Sequence, residues 1–209
     1  MNYQVIRLKD PDSPGPLKLL EQLKQKVIPA LAQQGISTFG VFQGLFGIAS
    51  NELYLVVNSE SDTAPINQQL SGLKILATTD LVPTVRPLAH SPREKEGIYV
   101  FRWFKVFNKD VDEIASLSKQ AWETFESGFD TEVQGLFAES DRTNEQGEML
   151  LITWYADLNA WQDSRAPAPE ARENFMKRHQ LTIEATPVAT RLVSTDATPI
   201  VPGGENKFS

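Results

Sequence analysis

One order of elements is written twice in this chain, and that doubling constrains the fold more than any other feature. Gln43-Gly44-Leu45-Phe46 recurs unchanged as Gln134-Gly135-Leu136-Phe137. Residues 3–8 before the first copy read as a strand. Pro16 then opens a helix whose Leu20, Leu23, Val27 and Leu31 recur at spacings of three and four; Pro29 should kink it and Gly35 stop it. Residues 38–48 and 53–57 are strands joined by the turn Ala49-Ser50-Asn51-Glu52. Pro65 begins a short helix that Gly72 ends, and residues 82–88, opening on Val82-Pro83, form the fourth strand.

The second half repeats the order. Residues 98–107 are a strongly apolar strand. Asp110 with Glu113 has capping-box spacing, and Ile114, Leu117, Ala121 and Phe125 mark the apolar face of the helix that follows. Residues 131–138 and 149–155 are strands. Asp157 caps a short helix through Trp161, Ala166-Pro167-Ala168-Pro169 interrupts it, and residues 170–178 resume it before a last strand over 182–193. Matching segments lie 95, 91 and 96 residues apart, as duplication with loop insertions requires. Each half is a βαββαβ, ferredoxin-like unit. The division is residues 1–90 for the first repeat, 91–96 for a polar linker, 97–194 for the second repeat and 195–209 for a flexible tail.

A four-stranded sheet with both helices on one face leaves its other face to be covered. Two such sheets in one chain can cover each other. The expected fold is therefore α+β, tandem ferredoxin-like repeats with antiparallel sheets packed as a barrel-like pseudo-dimer. An eight-stranded closure can hold side chains or one small ligand, which makes its cavity the default binding site. The tandem arrangement permits a homodimer without requiring one.

Composition excludes several chemistries. There is no cysteine, so thiolate nucleophiles, disulfides and zinc-thiolate sites are absent. The net charge of −7, carried wholly by residues 97–209, argues against nucleic acid as a partner. Residues 1–12 lack the apolar stretch of a signal peptide, and no apolar run is long enough to span a bilayer, so a cytoplasmic protein without a membrane partner is expected. No HExxH, GxSxG, Walker or GxGxxG pattern occurs, and neither a metal site nor a cofactor is expected.

Two features bear on what could bind. Arg7 and Arg102 read as equivalent residues of the two first strands, and Arg86 and Arg191 of the two last ones. Alternation puts Arg102 on one face with Val100 and Phe104, where its guanidinium could meet an anionic ligand, pair with a carboxylate or reach solvent. All four tryptophans, Trp103, Trp122, Trp154 and Trp161, lie in the second repeat, with Tyr155 and Arg165 close by in sequence. They either wall a pocket or fill a larger core. His179 follows Arg178 at a helix end, where its charge suits the helix dipole; general base and haem ligand are the other roles open to it.

Several stretches of residues 97–193 carry a family resemblance. They include Val100-Phe101-Arg102, residues 121–126 (Ala-Trp-Glu-Thr-Phe-Glu), Gly135-Leu136-Phe137 and residues 151–155 (Leu-Ile-Thr-Trp-Tyr). Ala160-Trp161, Ser164-Arg165, Arg172, Phe175, Arg178-His179, Leu181-Thr182 and Thr190-Arg191-Leu192 continue it. This region resembles the NIPSNAP family of the dimeric α/β-barrel superfamily; the first repeat is similar in plan only. The resemblance implies paired ferredoxin-like units. It also implies a wide range of activities, from cofactor-free monooxygenases, isomerases and decyclising enzymes through haem proteins to ligand sensors, among which fold cannot choose. The expectation is a small-molecule-binding protein with its pocket in the barrel cavity of the second repeat. Arg102 would anchor the ligand, Trp122, Trp154, Tyr155 and Trp161 would wall it, and Arg165, Arg178 and His179 would stand near the rim. The alternative is a cofactor-independent monooxygenase- or isomerase-like enzyme using His179 or Tyr155 for proton transfer, with haem binding through His179 a third reading.

Overall fold

The computed structural model describes residues 1–60 and 66–194. The expected helix start at Pro65 and the expected tail from residue 195 lie outside them. The fold is α+β, with eight antiparallel strands and few helices. Chain contacts divide it into two units. Among the described residues, the first comprises those of 1–79, 90–96 and 190–194, and the second comprises 80–89 and 97–189.

In the first unit β1 (Asn2–Lys9), β2 (Ser37–Phe46) and β3 (Glu52–Ser59) pair antiparallel in the order β1-β3-β2. Ile6 and Leu8 of β1 face Leu55 and Leu53 of β3, and the helical residues Leu19, Leu20, Leu23, Val27 and Leu31 pack over them. These chains are 0–4% exposed, so the helix-side face of this unit is a closed aliphatic core. Each fully buried Leu or Val adds about 1.5–3 kcal/mol. Pro29 leaves its mark here. α1 (Leu17–Gln22) passes through a π-helical turn, Leu23–Val27, before α2 (Ile28–Gln33), because a proline cannot supply the N–H that the regular ladder needs. Gly35 ends the run at φ 75°, a left-handed conformation suited to glycine. After the short α3 (Ile66–Gln69), β4 runs over Lys74–Pro83 rather than the expected 82–88. The Ile-Leu-Ala-Thr-Thr run makes the strand, and Pro83 closes it, where a missing donor costs nothing further.

In the second unit β5 (Ile98–Phe107), β6 (Thr131–Glu139) and β7 (Gln146–Tyr155) pair as β5-β7-β6, and Leu81, Val82 and Pro83 of β4 add to the edge of β6. β8 is Thr182–Leu192. α4 (Val111–Gly128), α5 (Leu158–Asp163) and α6 (Pro169–Gln180) complete the unit. Asp110 precedes α4 without making the expected side-chain cap, since Asn108–Asp110 winds as a 3-10 turn instead. Asp157 does cap α5, accepting from the Ala160 N–H at 2.8 Å. α4 turns Ile114, Ala115, Ser118, Trp122 and Phe125 inward.

The register of the ladders corrects the correspondence between the halves. Ile6 faces Leu55 and Arg102 faces Leu151; Gly40 faces Val56 and Gly135 faces Ile152. Both second strands carry a β-bulge immediately before those glycines. At each, an added Cβ would run into the ring two residues on, Phe42 or Phe137. The identical tetrapeptides are therefore out of phase. Gln134-Gly135-Leu136-Phe137 takes the place of Phe39-Gly40-Val41-Phe42, while Gly44 lies against Ile48 near the hairpin. The arginine pairing fails by one residue. Arg102 corresponds to Ile6, and Arg7 sits on the other face of β1, where its Nη2 meets Glu52 Oε2 at 2.6 Å. Arg86 lies beyond the end of β4 and pairs with Glu126 at 2.7 Å.

Candidate functional site

A cavity of about 550 Å³ lies in the second unit between the sheet and its helices. Alternation along the strands selects its floor. β5 contributes Arg102 and Phe104, and β7 contributes Leu151, Thr153 and Tyr155. Trp122 and Phe125 of α4 form one wall. Trp161 of α5, the connection through Ser164, Arg165 and Pro167, and Arg172, Phe175, Arg178 and His179 of α6 form the other. Ala185 and Pro187 of β8 border the opening.

Of the residues that sequence singled out, Arg102, Trp122, Tyr155, Trp161, Arg165, Arg178 and His179 line this one space. Trp154 does not. It faces the other side of β7 from Thr153 and Tyr155, is 3% exposed, and its indole covers Gly97, where no side chain would fit. The cavity is likewise not on the sheet face away from the helices, as the barrel argument expected. That face is filled by Tyr99, Phe101, Phe137 and Ile152, each 0–1% exposed.

Charge is the cavity's distinguishing property. Its lining includes four arginines and a histidine and no Asp or Glu, in a chain of net charge −7. Arg178 is buried, with its guanidinium carbon 5.2 Å from the centroid of the Phe104 ring and 4.9 Å from that of Phe175. Its Nη1 is within 3.4 Å of Ser118 Oγ, a hydroxyl that itself donates to the Ile114 carbonyl at 2.7 Å. Arg178 also occupies the last turn of α6, where the helix dipole favours a cation. Burial and the neighbouring Arg102 charge nevertheless pull its pKa down to about 10, with Tyr155 opposing. Arg102 is lowered too, by burial first and then by Arg165, again against Tyr155. Ion pairs among the described residues include those of Arg7 and Lys9 with Glu52, Arg86 with Glu126, Arg142 with Asp112 and Lys177 with Glu173. None of the four cavity arginines takes part in one. Two guanidiniums thus share a mostly apolar space with no carboxylate between them, an arrangement that favours an anion entering it.

Among the lining residues that sequence reading missed are Phe104, Phe125, Thr153, Arg172 and Phe175. Phe104 and Thr153 were within reach, since they share alternation with Arg102 and Tyr155. Helical spacing puts Phe125 on the apolar face of α4 but does not link it to the pocket. Phe175 and Arg178, three apart on α6, are neighbours on a helix face. His179, exposed at the mouth, and Tyr155, 4% exposed inside, are the lining groups that can exchange a proton. No cluster of three metal-ligating side chains occurs among the described residues. No helix there is long and apolar enough to cross a membrane.

No protein-family model matches the chain, and no curated protein matches its sequence. Solved structures do. An anthrone oxidase-like protein superposes with a TM-score of 0.67 at 15% identity, over 94% of this chain and 96% of that one. A monooxygenase candidate from Lactobacillus acidophilus gives 0.57 at 12% identity, over 92% of each chain. A heme-binding protein from Thermus thermophilus gives 0.56 at 16% identity, over 92% of this chain and 90% of that one. At these identities the likeness establishes the fold, α+β with ferredoxin-like units, and not an activity.

Proposed function

We propose that the second unit binds a small organic anion with an aromatic or apolar body in the cavity between its sheet and α4–α6. The observation that carries this reading is the four-arginine, carboxylate-free lining with Arg102 and Arg178 outside every ion pair among the described residues. Arg102 and Arg178 would hold the anionic group, Trp122, Phe104 and Phe175 would flank the body, and Trp161 with Arg165 would stand at the mouth. The first unit, with its aliphatic core, would act as scaffold. Calorimetric titration with biphenyl monocarboxylate and with biphenylmethanol tests the reading. The acid should bind and the alcohol should not, and Arg102→Met should abolish the difference; equal binding of both would refute an anion site.

A second reading, a cofactor-independent oxygenase or isomerase, is favoured by Tyr155, a buried phenol lining the same space as Arg102. An arginine pair would stabilise charge developing on a bound carbonyl or phenol while Tyr155 relays the proton. Oxygen uptake with anthrone as probe, lost in Tyr155→Phe, would support it. Haem fits the residues less well. The arginines could hold its carboxylates, but the one imidazole of the lining belongs to exposed His179, and the buried lining offers no histidine or cysteine as axial ligand. NIPSNAP kinship of residues 97–193, a cytoplasmic location and a homodimer remain parts of the same proposal. Net charge supports the absence of a nucleic-acid partner.

A further inference from the structure

We propose that the ligand of this cavity carries two anionic groups, one for the inner pair Arg102 and Arg178 and one for Arg165 and Arg172 at the mouth; this rests on the anion-binding reading above. The four cations are divided by depth. Arg178 is buried and Arg102 half-buried, whereas Arg165 and Arg172 are exposed. Arg165 belongs to the connection after α5, its guanidinium carbon 5.9 Å from the centroid of the Trp161 ring, and Arg172 to the first turns of α6. The two levels sense each other, because the Arg165 charge acts on Arg102 and the Arg102 charge in turn acts on Arg178.

The rest of the lining is rich in aromatic rings, with Phe104 on the floor, Trp122 on one wall and Phe175 and Trp161 on the other. A single carboxylate bound inside would neutralise one charge of an inner pair and leave the mouth unmatched. A rigid planar body passing the aromatic walls would bring a second anionic group to Arg165 and Arg172, where a bidentate fork and water access both favour it. Solvent screens the outer pair, so its effect is selective rather than large. The class of ligand is an aromatic or otherwise rigid dicarboxylate, or a compound with equivalent charges at both ends.

The test compares biphenyl dicarboxylate, biphenyl monocarboxylate and biphenylmethanol by calorimetry on the full chain at low salt, in wild type and in an Arg165→Gln, Arg172→Gln double variant. The dicarboxylate should bind about tenfold more tightly than the monocarboxylate. That ratio should fall towards one in the double variant and with added salt. If both acids bind equally and better than the alcohol, the second anionic group is refuted while the anion site stands. If all three bind equally, or none binds, the anion reading itself fails. A circular dichroism spectrum and melting curve on the double variant check that a lost ratio does not come from a lost fold.

Discussion

Arg178 lays its guanidinium carbon 5.2 Å from the ring centroid of Phe104, joining the last turn of α6 to the middle of β5. Phe175 lies 4.9 Å from the same carbon, so the cation rests among aromatic rings as it lines the cavity. Arg102 shares that cavity with like charge and no carboxylate. Replacing Arg102 by Met therefore removes a repulsion along with a buried charge. Thermal unfolding of the ligand-free Arg102→Met protein should show unchanged stability or a gain of about 1 kcal/mol. The same variant should lose at least tenfold in anion affinity. A loss of several kcal/mol would mean that Arg102 has a stabilising role in the empty protein.

Trp161 and Trp154 separate the pocket from the core. Trp161 lines the cavity, half-buried, while Trp154 is 3% exposed on the opposite face of the sheet. Trp161→Phe should weaken anion binding severalfold and leave the melting temperature nearly unchanged. Trp154→Phe should cost about 1–2 kcal/mol by opening space against Gly97 and leave affinity nearly unchanged. Calorimetric binding and denaturant unfolding on the two variants read both quantities, and a reversed pattern would place the ligand on the other face.

The repeated tetrapeptide supports a third prediction. Gly135 and Gly40 follow β-bulges, and a methyl at either would meet a fully buried ring, Phe137 or Phe42. Gly44 meets the side chain of Ile48, which is half-buried beside a hairpin and has room to turn. Gly135→Ala and Gly40→Ala should each cost about 1–3 kcal/mol, and Gly44→Ala less than either. If Gly44 proved as sensitive as Gly135, the letter-based alignment of the two copies would be restored.

This contrast shows how the sequence could be read and where it misled. The order of elements was legible because hydrophobic spacing and turn residues mark it locally, as at Leu20, Leu23, Val27 and Leu31. Phase was not. Matching letters do not fix the register, and a one-residue slip moves every side chain to the other face. Arg7 and Arg102 each follow two apolar residues, so the letters pair them, but the unbroken ladders of β1 and β5 put Ile6 in the place of Arg102. β4 was displaced for a related reason: Lys74 to Thr79 is largely exposed and lacks the alternation that identifies a half-buried strand. Most of the candidate site was legible from the concentration of tryptophan and arginine in the second half. Its location was not, because the choice between the two faces of a sheet depends on which side the large aromatics fill.

The ring centroids of Tyr3 and His90 lie 6.1 Å apart in the first unit, and their titrations limit stability at opposite ends of the pH scale. Burial pushes the Tyr3 phenol up to about 12, with the Arg93 charge opposing. An unfolded tyrosine releases its proton near 10. Between those values the folded chain holds more protons, so stability should fall by roughly 2 kcal/mol as pH rises through the window. His90 shifts downward, from burial first and Arg93 second, and both ring nitrogens are buried without a hydrogen-bond partner. Here the unfolded chain binds the proton first, so stability should decline as pH drops below about 6.5 and level off below the folded value. Urea unfolding across pH measures both limbs. Tyr3→Phe should flatten the alkaline limb alone and His90→Phe the acid limb alone, while an unchanged alkaline limb in Tyr3→Phe would show that the Tyr3 phenol is not what limits stability there.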